Sequence, residues 1–447
     1  MNKEILRLAV PSIISNVTVP LLGVIDVAIV GHIGDATYIG AIAIGSMVFN
    51  VIYWLFGFLR MGTSGMTAQA FGSGNRTEVV RLLRQALATG LSFAFCFLVL
   101  QHPLCSMALW LMNTPGEIAP LVRTYFNIVI WGAPAMLSLY GLTGWFIGIQ
   151  NTRIPMTVAI FQNIVNIVVS LVLVVGFKMK MEGVATGTLV AQWSGVLLAL
   201  WFASRRRWSV ADGEGTGTPV DSASCHSLRE ILKNYSDIFL RTVCLVAVNL
   251  FFTSAGAKQG TEILAVNTLL MTLFMLFSYV LDGFAFAGEA LAGRFVGAQD
   301  GMMLRRTVRH LFIWGAAMVL LFTLVYVVGG VPFLTLLTSD HSVVSAAVPY
   351  LPWAWAVPIA GVAAFIFDGV FIGMTATRGM LLSSAFATLI FFAVYFLLVP
   401  VWHNHALWFA FILYLLARGI IQALLYANIA SLRVGDKELL RLGIKNE

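Results

Sequence analysis

Four carboxylates fall in stretches of sequence that otherwise carry almost no charge: Asp26, Asp282, Glu289 and Asp368. A charge held at the centre of a bilayer costs about 3 kcal/mol or more unless it meets a cavity or a partner, so these positions are candidates for function. Burial raises a carboxyl pKa toward neutrality, which lets such a group load and release protons at ordinary pH. The same groups suit a hard cation such as Na⁺, or an organic cation. Asp282 and Glu289 are seven residues apart, which places both on one face of a helix. The competing reading is structural: each carboxylate could pair with Arg60, Arg418 or a backbone donor. Polar neighbours come with Asp26. Asn163, Asn166 and Ser170 lie at helical spacing in one stretch, and Thr188 in the next. Their oxygens could complete a Na⁺ site at Asp26, Asn166 and Thr188, or tune a proton site through hydrogen bonds. Ordinary helix packing uses the same residue types. Pro11 and Pro20, in the stretch that carries Asp26, each remove a backbone donor and offer a conformational hinge or a static kink.

The elements that must position these groups are membrane spans. Hydrophobic residues make up 59% of the 447-residue chain and charged residues 11%, against about 25% charged in soluble domains. Twelve helices are expected, over residues 8–31, 39–63, 85–109, 123–149, 155–177, 183–204, 235–257, 263–292, 309–331, 346–374, 380–401 and 404–428. The first is read as a retained span, because its apolar run exceeds a signal peptide and has no small-residue cleavage site. The net charge of +7 is spread unevenly. Nearly every Lys and Arg, Arg241 counted among them, falls on the side of the termini and central loop. The other side has only Arg123, Lys178, Lys180 and Lys258. This asymmetry places both termini in the cytoplasm and needs no nucleic acid to explain it. Two basic residues, Arg60 and Arg418, are read as lying well inside spans. Residues 205–234 form a polar Gly/Ser/Thr-rich linker between lobes at 1–204 and 235–447. Four cysteines without CxxC spacing suggest neither disulfides nor a metal cluster, and no cofactor is expected. No HExxH or GxSxG motif points to an enzyme.

The two halves repeat. GWFIGIQNTR at 144–153 returns as GVFIGMTATR at 369–378, identical at six of ten positions with an offset of 225 residues. The same offset aligns Gly72, Arg81 and Arg84 with Gly297, Arg306 and Arg309. Repeats with an even number of spans share one orientation, and transporters of this kind place their sites between repeats.

Several segments together resemble the multidrug and toxic compound extrusion family, in its DinF-like branch. They are LAVPSIISNVTVPLLGVIDVAIVGHIG, AQAFGSGN, NIVNIV, LDGFAFAGEALAGRFVGAQDG and DGVFIG, in that order along nearly the whole chain. The resemblance implies an all-α integral membrane protein with twelve helices in two six-helix lobes forming a V-shaped cavity. It implies a cation-coupled antiporter that exports small amphipathic organic compounds by alternating access. The fold needs no partner, so a monomer among lipids in the inner membrane of a bacterium is expected, with the oligomeric state left open. By alignment, Asp26 matches the coupling aspartate, Pro11 the bending region, and Asn166 and Thr188 the polar residues of the cation site. Asp368 resembles a tenth-span aspartate that other branches use for cation binding, and with Asp282, Glu289 and Asn163 it is assigned here to the substrate cavity. The chain departs from the family's N-x-x-N-x-x-L-D pattern, since Ser170 stands where a second aspartate is usual. That loss weakens the case for Na⁺ there and also counts against a two-carboxylate proton relay; H⁺ is the expected coupling ion, with Na⁺ the alternative. The alternative activity is a flippase for a lipid-linked envelope precursor, against which four membrane acids and two membrane arginines are weighed.

Overall fold

The computed structural model describes residues 1–31, 36–112, 114–205, 227–338 and 340–434, with the side chains of 19–31, 36, 433 and 434 outside the description. Among the described residues sixteen α-helices follow one another and no strand occurs. They are α1 (Asn2–Gly31), α2 (Ala36–Leu55), α3 (Phe58–Gly72), α4 (Arg76–Val99), α5 (Gln101–Leu111), α6 (Ala119–Val129), α7 (Ala133–Gly148) and α8 (Arg153–Leu171). After these come α9 (Met181–Arg205), α10 (Leu228–Lys258), α11 (Thr261–Gly297), α12 (Gly301–Leu337), α13 (His341–Ala347), α14 (Leu351–Gly373), α15 (Thr377–Trp402) and α16 (Asn404–Val434). In hydrocarbon every backbone N–H and C=O must be satisfied within the protein, and a helix does this locally.

Eleven helical stretches among the described residues are long and apolar enough to cross a membrane. Together with α1 they occupy the twelve expected spans. Several expected spans are bent pairs rather than single rods. The second breaks at Gly57 between α2 and α3, and the fourth passes through a 3₁₀ turn at Ile130–Gly132, just before Pro134, between α6 and α7. The surface is that of a membrane protein: Trp110, Leu320, Val328 and Leu336 are exposed, while Asn166, Glu289, Asp368, Arg241 and Arg418 are buried.

The repeat read from sequence is present in the backbone. The turn after α3 is left-handed at Gly74 (φ 76°) and the turn after α11 at Gln299 (φ 55°), positions 225 apart. Each is followed by a side-chain cap. Asn75 accepts from the Glu78 amide, and Asp300 accepts from the Met303 amide. The turns after α7 and α14 match in the same way, with Gln150 at φ 61° and Thr375 at φ 51°. Three backbone hydrogen bonds close each of them at equivalent residues.

The chain divides into two compact units, Ile14–Cys225, and Met1–Ile13 with His226–Glu447. The boundary therefore differs from the expected lobe at 1–204. The first thirteen residues pack with the carboxy-terminal unit because Gly283 of α11 lets the backbone of α1 approach closely at Ala9 and Ile13. The Thr307 hydroxyl of α12 reaches the Met1 sulfur at 3.4 Å. Helix α1 is continuous through Pro11 and Pro20, and Pro11 lies three residues before the division. There the Ser12 hydroxyl donates back to the Leu8 carbonyl at 2.9 Å, a bond that tends to bend helices.

Candidate functional site

In the amino-terminal unit the polar residues gather between α8 and α9. Spacings of three and four put Asn163, Asn166 and Ser170 on one face of α8. Asn166 and Ser170 are fully buried. The Asn166 amide donates to Thr188 Oγ1 of α9 at 3.1 Å, and that hydroxyl donates onward to the Val184 carbonyl at 3.1 Å. Asn163 donates to the Thr18 carbonyl of α1 at 3.0 Å. Two acceptors remain open among the described residues: Asn166 Oδ1 and Ser170 Oγ are buried and meet no hydrogen-bond partner there. Buried polar atoms in folded proteins are nearly always bonded, so exceptions need a reason. Oxygens left open on one helix face, one turn apart, are suited to a cation or to a proton-carrying water. Asp26 lies on α1, five residues before its end at Gly31, and its side chain is outside the described residues, as is that of Pro20.

The carboxy-terminal unit holds a second polar centre. Asp368 of α14, expected to line a substrate cavity, carries the carboxylate at the hub of a buried ion-pair cluster. Arg241 of α10 and Arg418 of α16 both donate to Oδ2, and Gln422 of α16 donates to Oδ1 at 2.6 Å. The reason is helix register: α14 packs closely against α16 and turns Asp368 toward α16 and α10. Arg241 also corrects the count of membrane arginines. Helix α10 starts at Leu228, seven residues before the expected span, so Arg241 sits thirteen residues inside it and is buried. Its setting between IFL and TVCLVAV was the available signal.

Asp282 and Glu289 share α11 and do not join this cluster. Asp282 is half-buried and accepts from Ser278 at 3.4 Å, while Glu289 is buried. Arg60 on α3 is half-buried in the amino-terminal unit. Sequence reasoning passed over Gln422 and the buried trio of Asn267, Asn404 and Trp408. In that trio Asn267 and Asn404 exchange amide hydrogen bonds of 2.8 and 2.9 Å, and the Trp408 indole donates to Asn267 at 2.9 Å. Among the described residues no group of three or more His, Cys, Asp or Glu could hold a metal ion.

Two homologous halves of membrane helices, each with buried polar residues between its spans, define the architecture of a secondary transporter. The MatE family matches residues 11–172 and 238–397, one match in each half. The chain is 35% identical over 426 residues to DNA damage-inducible protein F of Escherichia coli strain K12, covering 95% of this chain and 92% of that one. It belongs to the MatE family, whose members are transporters rather than enzymes, and it is a multi-pass integral membrane protein. A probable multidrug resistance protein NorM of Thermotoga maritima is 23% identical, over 77% of this chain and 74% of its own length. A MATE crystal structure in the bent conformation superposes with a TM-score of 0.85 at 18% identity, covering 99% of this chain and 97% of that one.

Proposed function

We propose that this protein is a proton-coupled antiporter that exports small amphipathic organic compounds from the cytoplasm by alternating access. The observation that carries the coupling site is the pair of buried open oxygens, Asn166 Oδ1 and Ser170 Oγ, beside Thr188. Asp26, Asn166, Ser170 and Thr188 form the coupling-cation site in this reading. Ser170 supplies a hydroxyl where family members commonly have a carboxylate. A site with one formal negative charge is matched to one proton, and a Na⁺ ion there would keep fewer anionic ligands than it prefers. Asp282, Glu289 and Asn163 remain assigned to substrate, and Pro11 and Pro20 to bending of α1. The reading needs no prosthetic group. The protein acts as a monomer among lipids in the bacterial inner membrane, with both termini cytoplasmic, as the distribution of Lys and Arg supports.

The driving force suffices. Each elementary charge moved across 100 mV supplies about 2.3 kcal/mol, before any pH gradient. A flippase for a lipid-linked precursor would need a basic cavity for a pyrophosphate. Arg241 and Arg418 are buried on Asp368 inside the carboxy-terminal unit, which disfavours so large an anion.

The test is efflux of a fluorescent organic cation from proteoliposomes. One arm imposes a pH gradient without Na⁺, and the other a Na⁺ gradient without a pH gradient. Transport under the pH gradient alone is expected. Transport only with Na⁺ would overturn proton coupling, and none in either arm would overturn cation export.

A further inference from the structure

The carboxy-terminal cluster has more positive charge and more donors than its carboxylate can satisfy. Arg241 and Arg418 each pair with Asp368, and neither forms another ion pair among the described residues. The arginine side chains are 7% and 5% exposed and the carboxylate 9%. Arginine stays protonated in proteins and offers five N–H donors in a planar fork. Both forks reach the same oxygen, Asp368 Oδ2, through their Nη2 atoms, so the two guanidinium groups are neighbours. Gln422 occupies Oδ1. The Nε atoms of Arg241 and Arg418 are buried and meet no acceptor among the described residues. The next acid on α10, Asp237, accepts from Thr377 Oγ1 at 2.9 Å and makes no ion pair with Arg241. The Tyr414 ring lies 5.4 Å from the Arg418 guanidinium, and its buried hydroxyl faces that guanidinium. One uncompensated positive charge with open N–H groups, away from water, calls for an acceptor that carries a negative charge.

We propose that Arg241 and Arg418, with Tyr414, hold a small monovalent anion in the carboxy-terminal unit, either a halide or the carboxylate of a small organic acid. The anion accepts the open N–H groups and brings the cluster to neutrality with Asp368. This assignment stands apart from the coupling site of the amino-terminal unit and does not depend on it. It also inverts the expected role of Asp368, which competes with the bound ion rather than recruiting a cation.

The experiment is thermal unfolding of the purified full-length protein, followed by intrinsic tryptophan fluorescence. Sodium chloride, sodium formate and sodium gluconate are compared at constant pH and ionic strength. A ligand that binds only the folded state raises the melting temperature with its concentration. The wild-type melting temperature is expected to rise with chloride or formate relative to gluconate. A rise with chloride alone assigns a halide site, and a rise with formate alone assigns a carboxylate site. Arg418→Gln leaves one arginine per carboxylate and is expected to lose the anion-specific rise. Asp368→Asn removes the competing charge, and the half-saturating anion concentration should fall about tenfold or more. Bromide diffraction of the wild-type protein should give an anomalous peak beside Arg241 and Arg418, a reading that needs no variant to fold. Equal melting in all three salts, or an anion-specific rise unchanged in Arg418→Gln, would overturn the proposal.

Discussion

Gly144 and Gly369 make the same helix crossing in the two halves of the chain. A Cβ on Gly144 of α7 would run into the Arg60 carbonyl of α3, and a Cβ on Gly369 of α14 into the Ala285 carbonyl of α11. The two carbonyls are themselves 225 residues apart, as the glycines are. The repeat is therefore a repeat of backbone contact, held by residues with no side chain at the point of closest approach.

Adding a methyl group at these crossings should force the helices apart. Gly144→Ala and Gly369→Ala are each expected to cost about 1–3 kcal/mol. Gly329→Ala on α12, where nothing lies within 4 Å, serves as the control and should be neutral or slightly stabilising. Thermal melts in one detergent would decide it; equal melting of Gly369→Ala and Gly329→Ala would remove the argument.

Asp26→Asn is expected to abolish coupled transport while leaving expression and melting close to wild type. Full activity in that variant would end the proposed mechanism.

Ser170→Ala removes a hydroxyl that makes no hydrogen bond among the described residues. Stability should stay within about 0.5 kcal/mol of wild type, since no buried partner is left unsatisfied. Coupling should weaken, seen as a steeper external proton requirement for efflux. Unchanged transport with unchanged stability would take Ser170 out of the site.

Asn267→Leu should be strongly destabilising, because it leaves the Asn404 amide and the Trp408 indole N–H buried without acceptors. Each orphaned group costs about 1–3 kcal/mol. Asn404→Leu in the same background should recover part of the loss, and a purely additive double variant would show that the trio is not one network.

What the sequence determined is what depends on near neighbours along the chain. Apolar run length set the spans, because a helix satisfies its backbone from within. The helical period alone puts Asn163, Asn166 and Ser170 on one face. The repeat was legible because both halves keep the same turns and the same close-packed glycines. Tertiary structure alone decided which buried charges meet. Asp368 joins Arg241 across 127 residues and Arg418 across 50, and no periodicity links such distant positions. Hydropathy misplaces Arg241 because it starts the span at residue 235, while the polar first turns of α10 extend the helix back to Leu228. A capping box between Ser227 and Glu230 fixes that start with hydrogen bonds of 2.9 and 3.2 Å. The division of α1 after Ile13 was likewise invisible in its uniform apolar run, because it follows from the close approach that Gly283, on a helix far along the chain, allows.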